Sequence, residues 1–191
     1  MVTRLTLALI TPLLAVGQLD VQAQSRVDYK LLATNRTSTM ERELNEAADA
    51  GFRFQHVMGG ESAVGGNEVV VVMSSTEPSK ARYAYKLLAT SRTSTMQREL
   101  QEAADAGYDY KGQTVFRSAF GGDEVVVILE RDKDGPSHRY DYKLMATSKT
   151  STLEKELKEA GAAGYDTVGM TVSKTALGGK ELVAITRRLR Q

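Results

Sequence analysis

The sequence predicts an α+β protein made of three tandem βαββ units, each a three-stranded antiparallel or mixed sheet with one helix packed on one face. Two observations carry that expectation. The string Tyr29–Met40 returns as Tyr85–Met96 and again as Tyr142–Leu153, at offsets of 56 and 57 residues. Fixed-period self-similarity of this kind marks a repeat architecture. Within every copy, a segment of period two is followed by one of helical period and then by two more apolar runs. The copies align without a gap as residues 26–75, 82–131 and 139–188, and residues 1–23 stand apart from them.

The first segment reads as a signal peptide. Arg4 gives a positive start, Leu5 to Gly17 is mostly apolar, and Val21-Gln22-Ala23 is a small-residue cleavage pattern that leaves Gln24 first. The apolar run is shorter than the ~20 residues that span a bilayer, so no transmembrane segment is expected in the mature chain. The protein is therefore expected to be exported, periplasmic or extracellular. The chain has no cysteine, which excludes disulfides, thiolate metal sites and a thiol nucleophile.

The first strand of each copy alternates. Tyr29, Leu31 and Ala33 share one face and Lys30 and Thr34 the other, so the tyrosines (Tyr85 and Tyr142 in the later copies) are expected in a core, with the lysines guarding an edge strand. A helix follows, with Met40, Leu44, Ala47 and Ala48 on its apolar stripe. Ser38 with Glu41, Ser94 with Gln97 and Ser151 with Glu154 fit a capping box. Gly51, Gly107 and Gly164 are expected to stop the helices in the left-handed conformation, with Phe52, Tyr108 or Tyr165 folding back onto the last turn.

A looser second strand leads through Gly65-Gly66, Gly121-Gly122 or Gly178-Gly179 into a third. Val69–Val72, Val125–Ile128 and Leu182–Ile185 are apolar on both faces, as in a strand covered on both sides. A right-handed crossover leaves the middle place to that strand and gives the order 1-3-2. The proline-containing stretches Thr76–Ala81 and Asp132–His138 read as linkers. A fifty-residue unit is marginal alone, so the units are expected to pack together, either as one long sheet or as a closed pseudo-threefold ring.

At Tyr29-Lys30, Glu43-Leu44-Asn45 and Gly51-Phe52 each copy resembles the small bacterial domain of unknown function 4177. The likeness recurs at Glu99-Leu100 with Gly107-Tyr108 and at Glu156-Leu157 with Gly164-Tyr165. It covers nearly all of each copy. The family usually carries tryptophan after the helix-ending glycine, where this chain has Phe52, Tyr108 and Tyr165. The resemblance implies a βαββ fold and a bacterial origin, and it implies no activity.

Chemistry-bearing residues are sparse. His56 and His138 occupy non-equivalent places and read as surface residues, so no metal site and no cofactor is expected. Glu43, Glu46 and Glu68 recur in later copies beside basic residues, as on a mixed exposed face. The candidate anion-binding residues are Arg36, Thr37 and Ser38, Arg92, Thr93 and Ser94, and Lys149, Thr150 and Ser151. A cation and hydroxyls there precede the free N–H groups of a helix start. The net charge of +1 argues against nucleic acid as partner. It hides a gradient: −2 over residues 26–75, 0 over 82–131 and +3 over 139–188.

Repetition multiplies surfaces, whereas catalysis needs one differentiated pocket. The expectation is a non-enzymatic binding or scaffolding module of the bacterial envelope, with a protein partner or self-association through edge strands. Small-molecule or anion binding at helix starts or inter-repeat clefts, and an enzyme with an unrecognised site, stand as alternatives.

Overall fold

The computed structural model describes residues 26–63, 66–76, 82–117, 123–136, 138–174 and 179–190. The segment read as a signal peptide, residues 77–81 of the first linker, and Gly65, Gly121, Gly122 and Gly178 of the glycine turns lie outside them. The first unit comprises β1 (Asp28–Thr34), α1 (Thr37–Asp49), β2 (Arg53–Ser62) and β3 (Gly66–Ser75). The second has β4 (Tyr83–Thr90), α2 (Thr93–Asp105), β5 (Asp109–Arg117) and β6 (Asp123–Asp132). The third has β7 (Tyr140–Thr147), α3 (Thr150–Ala162), β8 (Asp166–Lys174) and β9 (Lys180–Leu189).

Each unit is a three-stranded sheet in the order 1-3-2, and both pairings are antiparallel. The apolar third strand takes the centre because it is the strand that can be covered on two faces. The helices stop where Gly51, Gly107 and Gly164 adopt φ of 89°, 83° and 80°. At each stop the aromatic N–H reaches back to an orphan carbonyl, as Phe52 N does to Ala47 O at 3.0 Å, closing the last turn.

The units form neither one long sheet nor a closed ring. Three separate sheets stack with helices between them. Helix α1 packs its Met40, Leu44, Ala47 and Ala48 against Leu32, Val69, Val71 and Met73 of its own sheet. The same cluster takes in Tyr85, Val126 and Ile128 of the second sheet. Helix α2 repeats this with Leu88, Val125, Val127 and Leu129 on its own side, and Tyr142 and Ile185 on the far side. Helix α3 has only its own sheet, through Met145 and Ala184. A linear stack results because one helix can bury two faces, and each sheet offers one face to its own helix and one to the helix before it.

This arrangement corrects the assignment of the tyrosine face. Leu32, not Tyr29, points to the helix of its own unit. Tyr85 and Tyr142 are core residues at 2% and 4% exposure, because the preceding helix covers them, whereas no described helix covers Tyr29, which is 67% exposed.

The capping box is also absent. The cap positions fall on Arg36, Arg92 and Lys149 in extended backbone, and none makes a side-chain cap hydrogen bond. Ser38, Ser94 and Ser151 lie inside the first turn. Thr34, Thr90 and Thr147 serve the helix entrance instead, each accepting the N–H of the cap residue through its hydroxyl at 3.1, 3.1 and 3.3 Å. Glu41 and Gln97, which a capping box would have used, are engaged at the seams between units, and Glu154 pairs with Lys158 one turn along its own helix.

Candidate functional site

A seam joins α1 to β4 and α2 to β7, in each case the outer edge strand of the next sheet. Asn45 Nδ2 donates to Tyr85 O at 2.9 Å, and Tyr85 N donates to Asn45 Oδ1 at 3.0 Å. One turn earlier on the helix, Glu41 Oε2 accepts Leu87 N at 2.8 Å. The second seam repeats the pattern with amides: Gln101 exchanges hydrogen bonds with Tyr140 O and Tyr142 N, and Gln97 with Tyr142 O and Leu144 N. An unpaired strand edge is a template for unwanted pairing. Here side chains of the helix occupy the edges of β4 and β7, so the expected guarding by lysine plays the smaller part.

A charged cluster closes each seam. Glu130 is buried and is held by a two-pronged contact from Arg53, with Nη2 to Oε1 at 2.9 Å and Nε to Oε2 at 3.2 Å. Lys111 Nζ approaches it to 3.4 Å. The Tyr85 hydroxyl donates to Glu130 Oε2 at 2.7 Å and accepts Phe54 N at 2.8 Å. Burial pushes the Tyr85 phenol well above its ordinary range, and the neighbouring carboxylate adds to the shift. That phenol is therefore locked as a donor and is no acid at neutral pH. The Glu130 contact in turn raises the Arg53 guanidinium.

In the second seam the charges change sides. The carboxylate is Asp109 on the second strand of the earlier unit, and the guanidinium is Arg187 on the third strand of the later one. The Tyr142 hydroxyl again bridges, donating to Asp109 Oδ1 at 3.1 Å and accepting Tyr110 N at 2.8 Å. Stacking the third unit directly on the first would set Arg53 against Arg187. Like charges directly opposed are unfavourable, so the swap disfavours that pairing.

The two ends of the stack keep the same surfaces without a partner among the described residues. On the first sheet Tyr29, Leu31 and Met58 are exposed large apolar residues. At the last unit they are Met170, Val172 and Leu189. Beside α3 a groove is lined by Leu153, Leu157, Met170 and Leu182, with Glu154 and Lys158 on its rim.

The residues expected to bind anions are brought together three by three at the helix entrances, where Arg36, Arg92 and Lys149 cap α1, α2 and α3. The cleft beside Thr37 and Ser38 also carries Glu41, Glu99 and Glu102 against a single Lys86, which opposes an anion there. His56 and His138 are both exposed and lie on different units. Among the described residues there is no group of three or more His, Cys, Asp or Glu that could hold a metal ion, and no helix long and apolar enough to cross a membrane.

Sequence reading missed the seam residues Asn45, Gln97, Gln101 and the Arg53–Glu130 pair. The sequence places Gln97 in a capping box and Asn45 only within the family resemblance, and it assigns Gln101 no role. A signal was present at one of these positions, where Gln97 stands between Glu41 and Glu154 of the other copies.

No protein-family model, curated protein or solved structure matches this chain. The protein the fold and seams define is a short solenoid: a stack whose units are joined by one recurring helix-to-sheet contact and whose two ends, among the described residues, are uncovered.

Proposed function

We propose that this chain is a non-enzymatic scaffold that binds a protein through the ends of its stack. The observation that carries the reading is the fate of one position. The tyrosine of the first strand is covered in the second and third units and 67% exposed in the first. An apolar sheet face left open beside two covered copies of itself is a docking surface of known complementarity. Adjacent exposed apolar side chains mark interaction sites more often than isolated ones do. The resemblance of each unit to the domain of unknown function 4177, and export after loss of residues 1–23, belong to the same reading.

The test is site-specific photo-crosslinking in the cells that make the protein. A photoreactive residue at position 31 is expected to give a discrete protein adduct on a chain that begins at Gln24. The same residue at position 98, on the outer surface of α2, is expected to give none. Equal labelling at both positions, or none at 31, refutes the reading.

A further inference from the structure

The structure assigns the partner of the open first sheet: we infer that it is a second copy of this chain, docked head to tail through its last helix. The inference rests on the scaffold reading above and names the occupant of that surface.

The two internal seams are templates for the contact. Carried over by the repeat offsets, Leu31 takes the place of Leu87 and Leu144, and Tyr29 that of Tyr85 and Tyr142. On the docking side Glu154 takes the place of Glu41 and Gln97, and Lys158 that of Asn45 and Gln101. Glu154 can accept Leu31 N as Glu41 accepts Leu87 N. Lys158 can donate to Tyr29 O as Asn45 donates to Tyr85 O. The Tyr29 hydroxyl can donate to Asp166, the counterpart of Asp109, and accept Thr167 N, the counterpart of Tyr110 N.

The shapes also fit, in an inverted sense. In both internal seams a large side chain on the earlier unit faces a glycine on the later one. A Cβ on Gly112 would lie 3.1 Å from the Phe54 ring, and one on Gly169 would lie 2.1 Å from the Tyr110 hydroxyl. At the ends the sizes exchange: the glycine position is His56 and the large position is Thr167. A histidine that would clash in either internal seam has room opposite threonine. The groove beside α3 is deepened the same way, because Ala184 stands where the other units have Val71 and Val127.

Charge favours the same orientation. The first unit carries −2 and the last +3, so head-to-tail approach is attractive while head-to-head and tail-to-tail approaches are repulsive. Two features are not reproduced: the seam ion pair, since Ser74 occupies the place of Glu130 and Arg187, and the acceptor for the tyrosine N–H, since Lys158 donates only whereas Asn45 and Gln101 also accept. The contact between copies is accordingly weaker than the seams within one. A contact between unlike surfaces leaves a free end on every copy, so association continues into open chains or closes into rings.

The chain has no cysteine, which makes a directed cross-link clean. Two variants of the full chain, Leu31→Cys and Glu154→Cys, are mixed and oxidised mildly. These positions correspond to Leu87 and Glu41, whose N–H and carboxylate are 2.8 Å apart. The expected product is the mixed disulfide, exceeding either homodisulfide by at least about tenfold. Excess of the Leu31→Cys homodimer would show face-to-face pairing and overturn the inference.

In sedimentation velocity the parent protein is expected to grow with concentration, with and without residues 1–23. Leu31→Asp, at a position 66% exposed and so harmless to the fold, is expected to weaken association about ten- to a hundredfold. A parent that stays monomeric at all concentrations, or associates only while residues 1–23 are attached, overturns it. If self-association fails while position 31 still cross-links to another protein, the scaffold reading stands and only the choice of partner falls.

Discussion

Leu44, Leu100 and Leu157 occupy one position in three copies of the repeat, and the stack predicts that truncating them has unequal effects. Leu44 and Leu100 are 0% exposed because α1 and α2 each lie between two sheets. Leu157 is only partly buried, because α3 has a sheet on one side. Removing a buried leucine side chain to alanine forfeits its transfer free energy and leaves a cavity, at a cost of about 2–5 kcal/mol. Leu44→Ala and Leu100→Ala should fall in the upper half of that range, since rigid sheets on both sides limit collapse of the cavity. Leu157→Ala should cost about 1 kcal/mol, as water or the side chains around the open groove can fill the space. The comparison belongs in the Leu31→Asp background and at low concentration, so that a second copy does not cover Leu157. Urea unfolding followed by circular dichroism gives the three differences, read at unchanged m-value. Three equal losses would mean that α3 is as enclosed as the other helices, and the linear open stack would be wrong.

Two further outcomes follow from the seams and the connector. Gly59→Ala should destabilise by about 1–3 kcal/mol through overpacking, because its Cβ would lie 2.2 Å from the backbone oxygen of Val115 across the seam. Gly60→Ala, whose Cβ meets nothing within 4 Å, should be neutral or slightly stabilising in the same melts. The connector after β6 is clipped by Asp132, which accepts Arg82 Nε at 2.9 Å and the N–H groups of Asp134 and Gly135. Those bonds, the Arg82 contact first, hold its carboxyl down to about 2. A depressed folded pKa contributes stability that is present above the unfolded value near 3.9 and lost as pH falls toward 2. The advantage of the parent over Asp132→Asn should therefore shrink between about pH 4 and pH 2, measured as a difference in denaturation midpoint, and stay level above pH 5. A difference that persists unchanged at pH 2 would remove the clip from the argument.

Much of a single unit was legible in the residues. The glycines at 51, 107 and 164 needed positive φ, and the stripe Met40, Leu44, Ala47, Ala48 was buried as helical spacing required. The central place of the third strand followed from its two apolar faces. The seams were not legible, and the reason differs from residue to residue. Ser38 and Glu41 satisfy a capping box equally well as a string, but the Leu87 N–H of the next unit competes for the same carboxylate. Glycines at 59, 112 and 169, at positions that do not recur through all three copies, were the available sign of close backbone approach in a strand.

By itself the sequence determined the unit: its length, its strand order, its helix and its chain stops. Those depend on local periodicity and on the backbone freedom of particular residues, which short-range physics decides. Only the tertiary structure decided which element covers which face. A period-two pattern states that a strand has an apolar side, and the covering helix can come from its own unit or from the one before. Tyr29, Tyr85 and Tyr142 are the same residue in the same local setting, and their exposures differ because, among the described residues, a preceding helix covers two of them and not the third.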